Sequence, residues 1–505
     1  MNALRRRSVP VRDLASSRPG VAQVGRRAVA ALGSAQVATL ALAAIGLVGA
    51  SFFFAVVYPQ TPGRLGMASV ALVDDFALWA TLERVVPSPH TVSGVSFALA
   101  LAIVVAFAAQ GVALHAVRRL ASGRALCGIA LVSLVALVIS ALALPNVSTD
   151  LFSYIASARV AVVHGQNPYE TALSAFPGDQ LYPYVSDQHS GSVTSKLPAW
   201  MLFSVGLAWV AGDDPVANVL LYRLVLAVLA VGAVALVGLA LREVAPRHAA
   251  FGMVLFGWNP MVIVYAPSKT DTLMVFFLAS AAFLLARRRF LSGTAAIVLS
   301  ALVKLITLPL VALQLLSALS LRRWRQLALG CLVAVATAAL VYLPFARGID
   351  LPLKHLRLLG MTVSRLTPSL DSNDSTAGQV ALAVGLVSVV LWQAKRLDGK
   401  TSTLFRAWGV VGLYFALFLT ITGWAWYLMA PLAAVALSAR ILLWLPMLAL
   451  SLASFSFSIW DSASSATFQL RDVVPVPRFV VYLALGIALA VVGGLLARRP
   501  TTLSG

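Results

Sequence analysis

Residues 148–170 read STDLFSYIASARVAVVHGQNPYE. Asp150, Tyr154, Arg159, His164 and Tyr169 bring an acid, two phenols, a guanidinium and an imidazole into one short stretch directly after an apolar run. A carboxylate in such company can accept a proton, and a guanidinium can hold two oxygens of an anion at once. The plain alternative for Asp150 is a carboxylate that merely starts a helix, where the dipole favours negative charge. The spacing predicts a helix from about Asp150 to Val163, capped by Ser148 or Thr149 and stopped at His164-Gly165 ahead of a GQNPYE turn. On that helix Asp150, Tyr154 and Ala158 share a face.

Other residues of this kind are scattered along the chain. Lys304 in SALVKLITLPL has apolar residues on both sides, and a lysine at membrane depth is costly unless it lines a cavity or meets an anion. WNPMVIVYAPSKTDTLM places Trp258, Asn259, Lys269 and Asp271 around two prolines, Pro260 and Pro267, whose helix breaks suit a shaped cavity wall. Asp271 again has a plain reading as a helix-start carboxylate. Lys196 in SKLPAW, Arg357 and Arg365 add further cations, and GWAWYLMAPLA supplies Trp424, Trp426 and Tyr427. Aromatic residues of that sort can stack on a sugar or an isoprene, or simply anchor at a membrane interface.

The elements that must position these groups are set by composition. Of 505 residues 60% are hydrophobic and 11% charged, and the mean hydropathy is +0.90. That leaves too little polar surface for a soluble globule of this length, so the chain reads as an all-α polytopic membrane protein. The net charge of +20 sits in short clusters between apolar runs, where positive-inside retention accounts for it; nucleic acid is not expected as a partner. The clusters are Arg118/Arg119/Arg124, Arg242/Arg247, Arg287 to Arg289, Arg322/Arg323/Arg325, Lys395/Arg396/Lys400 and Arg498/Arg499. They all fall on one side if residues 197–212 lie along the interface or re-enter, and if the 290–320 run crosses twice with a hinge near Lys304. That gives about 14 spans of about 20 residues or fewer, both termini inside, and gathers the polar residues on the outer face.

The expected organisation is a basic disordered tail at 1–34, a transmembrane hairpin at 35–124, and a membrane core at 125–346 that includes an outer loop at 146–215. A second outer loop at 347–375, C-terminal spans at 376–497 and a short tail at 498–505 complete it. A cleaved signal peptide is not expected, because the first apolar run is long and ends in the bulky SFFFAVVYP.

Several classes fail on motif chemistry. There is no G-x-G-x-x-G, and the GKT at Gly399 to Thr401 has Ala394 where a phosphate loop needs glycine. HExxH is absent and six histidines lie scattered, so no metal and no cofactor are expected. Cys127 and Cys331 fall inside apolar runs, which argues against a disulfide framework.

TDLFSYIASARVAVVHGQNPYE resembles the first outer loop of polyprenol-phosphate-mannose-dependent mannosyltransferases of the C-type glycosyltransferase (GT-C) fold, in particular the alpha-1,6-mannosyltransferase group. GWNPMVIVYAPSKTDTLM resembles the same family's WNP…D segment, SALVKLITLPL its intramembrane lysine hinge and GWAWYLMAPLA its late WY turn, in the same order. The chain departs from the pattern with SKLPAW where the family has YGP, and with Lys269-Thr270 where it has His-Asn. The resemblance implies a GT-C-like bundle with a juxtamembrane helix and an interfacial helix in the outer loop. It implies transfer of a sugar, mannose by analogy, from a polyprenyl-phosphate donor to a glycan or glycolipid acceptor at the outer face of the cell membrane. In that scheme Asp150 is the general base, and Lys304, Arg159, Arg357 and Arg365 hold the donor phosphate. Tyr154, His164, Tyr169, Lys196, Trp258, Asn259, Lys269, Asp271, Trp426 and Tyr427 bind substrate, and membrane lipid is the remaining partner. A transporter or flippase of a lipid-linked or small solute is the alternative, since intramembrane charges and broken helices serve transporters equally well. Against it, the 290–320 hinge has no matching break in the other half of the sequence. A non-catalytic assembly subunit fits Lys304 least.

Overall fold

The structure is a computed structural model that describes residues 19–57, 92–118, 123–143, 150–185, 187–345, 351, 374–419 and 424–467. Every regular element among them is helical. Helix α1 (Pro19–Phe52) starts inside the segment expected as a tail and is followed by α2 (Val92–Val117) and α3 (Gly123–Leu142). Then come α4 (Asp150–Val162), α5 (Pro198–Ala211) and α6 (Pro215–Val244). Two short helices, α7 (Ala249–Gly257) and α8 (Pro260–Tyr265), lead into α9 (Asp271–Ala286), α10 (Phe290–Val303), α11 (Leu308–Ser320) and α12 (Trp324–Tyr342). The described chain ends with α13 (Asp374–Ala394), α14 (Thr401–Leu419), α15 (Met429–Leu437) and α16 (Ile441–Thr467).

About 14 spans is not confirmed by this architecture. Among the described residues five helices are long and apolar enough to cross a membrane, and a sixth span forms if the bent pair Pro246–Gly257 and Pro260–Ser268 counts as one. Much of the remaining apolar sequence is cut by proline and by turns into shorter helices such as Asp271–Ala286 and Phe290–Val303. At 1.5 Å per residue the 14-residue α5 covers about 21 Å, less than the roughly 30 Å of hydrocarbon, so it is too short to cross upright. The expected span at 479–497, the tail at 498–505 and nearly all of the outer loop at 347–375 lie outside the described residues, as do Arg357 and Arg365.

The helix breaks, more than the spans, decide where the polar side chains meet. Asn259 stops α7 from running on: its side chain accepts the Met261 N–H at 3.1 Å and caps α8, with Pro260 at the first helical position, where its missing N–H costs nothing. Pro267 then forces a second break before α9. The 290–320 run breaks at Lys304, which is extended (φ −158°, ψ 128°) between α10 and a 3-10 turn, as the hinge expectation requires. Helix α9 packs on both α6 and α10. Small residues permit the close approach: a methyl on Gly293 of α10 would lie 2.7 Å from the Leu285 side chain of α9. This packing brings the starts of α4 and α9 and the Lys304 break to one place.

Candidate functional site

Two ion pairs stand at that place. Lys269 Nζ lies 2.7 Å from Asp150 Oδ2, and Lys304 Nζ donates to both oxygens of Asp271 at 2.8 and 3.0 Å. Their exposures are inverted. In the first pair the lysine is sealed and the acid open, with side chains 0% and 27% exposed; in the second the lysine is 27% exposed and the acid 1%. The site therefore leaves one carboxylate and one ammonium partly exposed, each paired with a buried residue of opposite charge type.

Aromatic rings complete the frame. The 3-10 turn Ala425–Leu428 supplies Trp426, whose ring centroid is 3.4 Å from Lys269 Nζ, and Tyr427, whose centroid is 3.6 Å from Lys304 Nζ. Desolvated cation–π contacts of this sort are worth about 2 kcal/mol each and offset part of the burial cost of the ammonium groups. On the other side Tyr154 donates to Asp150 Oδ2 at 3.4 Å and packs edge-on against Trp200. Lys196 Nζ is 5.0 Å from the Tyr154 ring, and His189 Nε2 is 4.0 Å from Asp150 Oδ1.

Asp150 is consequently a very weak base in this arrangement. Burial alone would raise its carboxyl, but Lys269, then Lys196 and His189, outweigh burial and hold it well below the usual carboxylate range.

The expected residues divide into three sets. Asp150, Tyr154, Lys196, Lys269, Asp271, Lys304, Trp426 and Tyr427 come together around the two ion pairs. Arg159 and His164 do not: they form a closed cluster with Asp179, a residue that carries no signal in the sequence. Arg159 Nε donates to both Asp179 oxygens at 3.0 and 3.1 Å, and its other nitrogens reach the Gly212 and Asp213 carbonyls and Asp213 Oδ1. His164 Nε2 is 2.9 Å from Asp179 Oδ2 while its ring stacks on Phe176. With its donors committed and only 2% of its surface exposed, Arg159 has nothing left for a phosphate; it ties α4 to the loop after α5. The third set is supporting structure. Trp258 donates to the Ile129 carbonyl, Asn259 caps α8, and Tyr169 donates to the Lys196 carbonyl at 2.8 Å, which fixes the backbone that carries that lysine.

Arg223 escaped the sequence reading. It is 2% exposed in the middle of α6, and it donates to the carbonyls of Ser140 and Ala141 at the end of α3 and to Ser268 Oγ at 2.9 Å. One guanidinium thus clamps the chain entering the Asp150 loop to the residue preceding Lys269. The signal was present: a lone arginine within the apolar run 216–241 raises the same question as Lys304. His189 gave no such signal, because nothing local connects it with an acid 39 residues earlier.

Among the described residues no group of three or more His, Cys, Asp or Glu side chains is placed to hold a metal ion. What the arrangement can do is accept a proton at Asp150 and neutralise an anion at Lys304, side by side. Residues 139–322 match the family model described as alpha-(1->6)-mannopyranosyltransferase, N-terminal domain. The matched stretch holds all four members of the ion pairs but ends before Trp426 and Tyr427, and it supports a GT-C mannosyltransferase group for this membrane protein. No curated protein and no solved structure matches the chain.

Proposed function

We propose that the protein transfers mannose from a polyprenyl-phosphate carrier to a lipid-linked or cell-envelope glycan at the outer face of the cell membrane. The observation that carries this reading is the inverted exposure of the two ion pairs, which leaves one carboxylate and one ammonium partly exposed and near enough to interact electrostatically. A polyprenyl-phosphate sugar needs little else, since its leaving group is already good.

In the transfer step the acceptor hydroxyl attacks the anomeric carbon, a new C–O bond forms there, and the bond from that carbon to the phosphate oxygen breaks. The hydroxyl proton passes to Asp150 and the electron pair leaves with the polyprenyl phosphate. Charge grows on the departing phosphate as the bond lengthens, and Lys304 stands where an ammonium can balance it. A base held as low as Asp150 takes the proton only once the hydroxyl oxygen has become acidic by bonding to the sugar. Its fixed negative charge meanwhile steadies the positive charge that builds on the sugar ring. The Trp426 and Tyr427 rings suit a sugar face or the first isoprenes, and Arg357 and Arg365 remain proposals for the phosphate on the strength of the resemblance alone.

The test is incubation of purified protein with radiolabelled polyprenyl-phosphate-mannose and a panel of mannan acceptors, with nucleotide-linked mannose in a parallel arm. Transfer from the polyprenyl donor alone is expected. Label moving only from the nucleotide donor, or no label in any glycan, overturns the reading.

A further inference from the structure

Helix α9 starts in the candidate site and ends about 24 Å away, at its 16th residue, in the wall of a second cavity. This chamber of about 580 Å³ lies where the α9–α10, α11–α12 and α13–α14 turns converge, at the far end of the bundle from Asp150 and Lys304. Arg288, Arg323 and Lys400 line it together with Thr401 and Ser402 at the start of α14, a start already capped by Asp398, whose Oδ1 accepts the Lys400 N–H at 3.0 Å. One carboxylate, Glu243, shares the wall, but Arg287 Nη1 neutralises it at 2.7 Å. Asp398 stands beside Lys400 at 3.5 Å, with both side chains largely in the open.

Retention of positive charge at a membrane surface accounts for arginines in turns. It does not account for Gln314. This side chain on α11 lines the chamber, is 1% exposed, and neither its nitrogen nor its oxygen has a hydrogen-bond partner. A buried amide left unpaired is costly, so it marks a place where a ligand supplies the partner.

The chamber also has an apolar neighbour. A groove of about 570 Å³ shares Phe290, Arg323 and Gln326 with it and continues over Leu291, Trp324 and Leu329, with Arg322 and Arg325 at its rim. Trp324 is 62% exposed. A cationic, hydroxyl-seeking chamber that opens onto an apolar groove beside membrane helices has the layout of a lipid with a charged head.

We propose that this chamber binds an anionic phospholipid with a hydroxylated headgroup. The phosphate meets the Arg288, Arg323 and Lys400 side chains, which outnumber the carboxylates of the wall once Arg287 has neutralised Glu243. The headgroup hydroxyls pair with the Gln314 amide, and the acyl chains follow the Trp324 groove. Nothing in this assignment depends on the sugar chemistry at the other end.

Native mass spectrometry of the full chain in neutral detergent tests it, with titration by phosphatidylglycerol, by phosphatidylcholine of the same acyl chains, and by inorganic phosphate as competitor. Wild type is expected to hold phosphatidylglycerol about tenfold more tightly than phosphatidylcholine, and Gln314→Leu and Lys400→Gln each to erase most of that preference. Lipid-free Gln314→Leu should unfold no earlier than wild type, since its amide has no internal bond to lose. Lys400→Gln, at a largely exposed position, keeps the test open if Gln314→Leu fails to fold. Equal retention of both lipids by wild type, or an undiminished preference in the folded variants, overturns the assignment. So does inorganic phosphate that binds as tightly as phosphatidylglycerol, because the groove then plays no part.

Discussion

The Asp150 site and the Arg159 cluster use the same chemistry to opposite ends. Each is built on a buried cation against a carboxylate, and both draw on α4. Around Arg159 the guanidinium and both Asp179 oxygens are spoken for, with side chains 3% and 0% exposed. Around Asp150 the pairs are incomplete: each leaves one charged group partly open to whatever arrives. Residue type therefore does not distinguish an open pair from a closed one; the exposure left to one partner does.

The largest expected effect lies on the closed side. Arg159→Met leaves the buried Asp179 with only His164 and the Leu181 N–H for partners, and breaking such a buried pair costs about 3–5 kcal/mol. Thermal unfolding and protease sensitivity of the loop after α4 should both register it. The fraction that stays folded should transfer sugar at a near-normal rate, and a selective loss of turnover there would put Arg159 back in the site.

Asp150→Asn comes next. It keeps the shape and the helix start, because asparagine serves there about as well as aspartate, while removal of the proton acceptor should lower transfer at least about 10²-fold. Stability should fall as well, because the sealed Lys269 loses its counter-charge, so transfer is read per folded molecule. Activity within a few-fold of wild type would make Asp150 another closed-side residue and move the search for a base to Asp271.

Lys304→Gln should weaken binding of the polyprenyl-phosphate donor by about tenfold, with acceptor binding unaltered. A donor titration monitored at fixed acceptor separates the two. Equal weakening of both substrates would mean that the substitution disturbs the hinge instead of the phosphate.

The smallest and sharpest test is of the buried partner. Lys269→Met removes the leading charge that opposes burial of Asp150, so the Asp150 carboxyl should rise from its depressed position. A base works when deprotonated, above its pKa. The acid limb of the transfer rate should accordingly lie below the ordinary aspartate value of about 3.9 in wild type and move to higher pH in Lys269→Met. An unmoved limb would show that Lys269 does not hold Asp150 in its ionised form.

Much of the site could be read in advance because its members carry local signals. Lys304 is conspicuous in an apolar run, Asp150 and Asp271 start helices, and Trp426-Tyr427 come after a glycine break. The Lys304 hinge was legible for the same reason. What the sequence concealed was pairing. Nothing in the order of residues tells that Lys269 answers Asp150 instead of its near neighbour Asp271, or that Arg159 is consumed by Asp179, because the first depends on how the starts of α4 and α9 meet and the second on how the chain after α4 folds back on it. The span count is not confirmed for a related reason: apolar composition registers lipid compatibility but not where proline and turns divide a run into shorter helices.

The aromatic turn at Ala425–Leu428 has a consequence for the order in which the molecule is made. In a 3-10 turn successive side chains stand about 120° apart, which lets two adjacent residues face two different lysines. Both rings come from chain translated more than a hundred residues after Lys304. A nascent protein that has emerged only as far as residue 322 already contains both acids and both lysines, yet neither ammonium has its ring. The framing of both ammonium groups therefore awaits the insertion of the last helices, and a truncated product would carry the charges without the rings that face them.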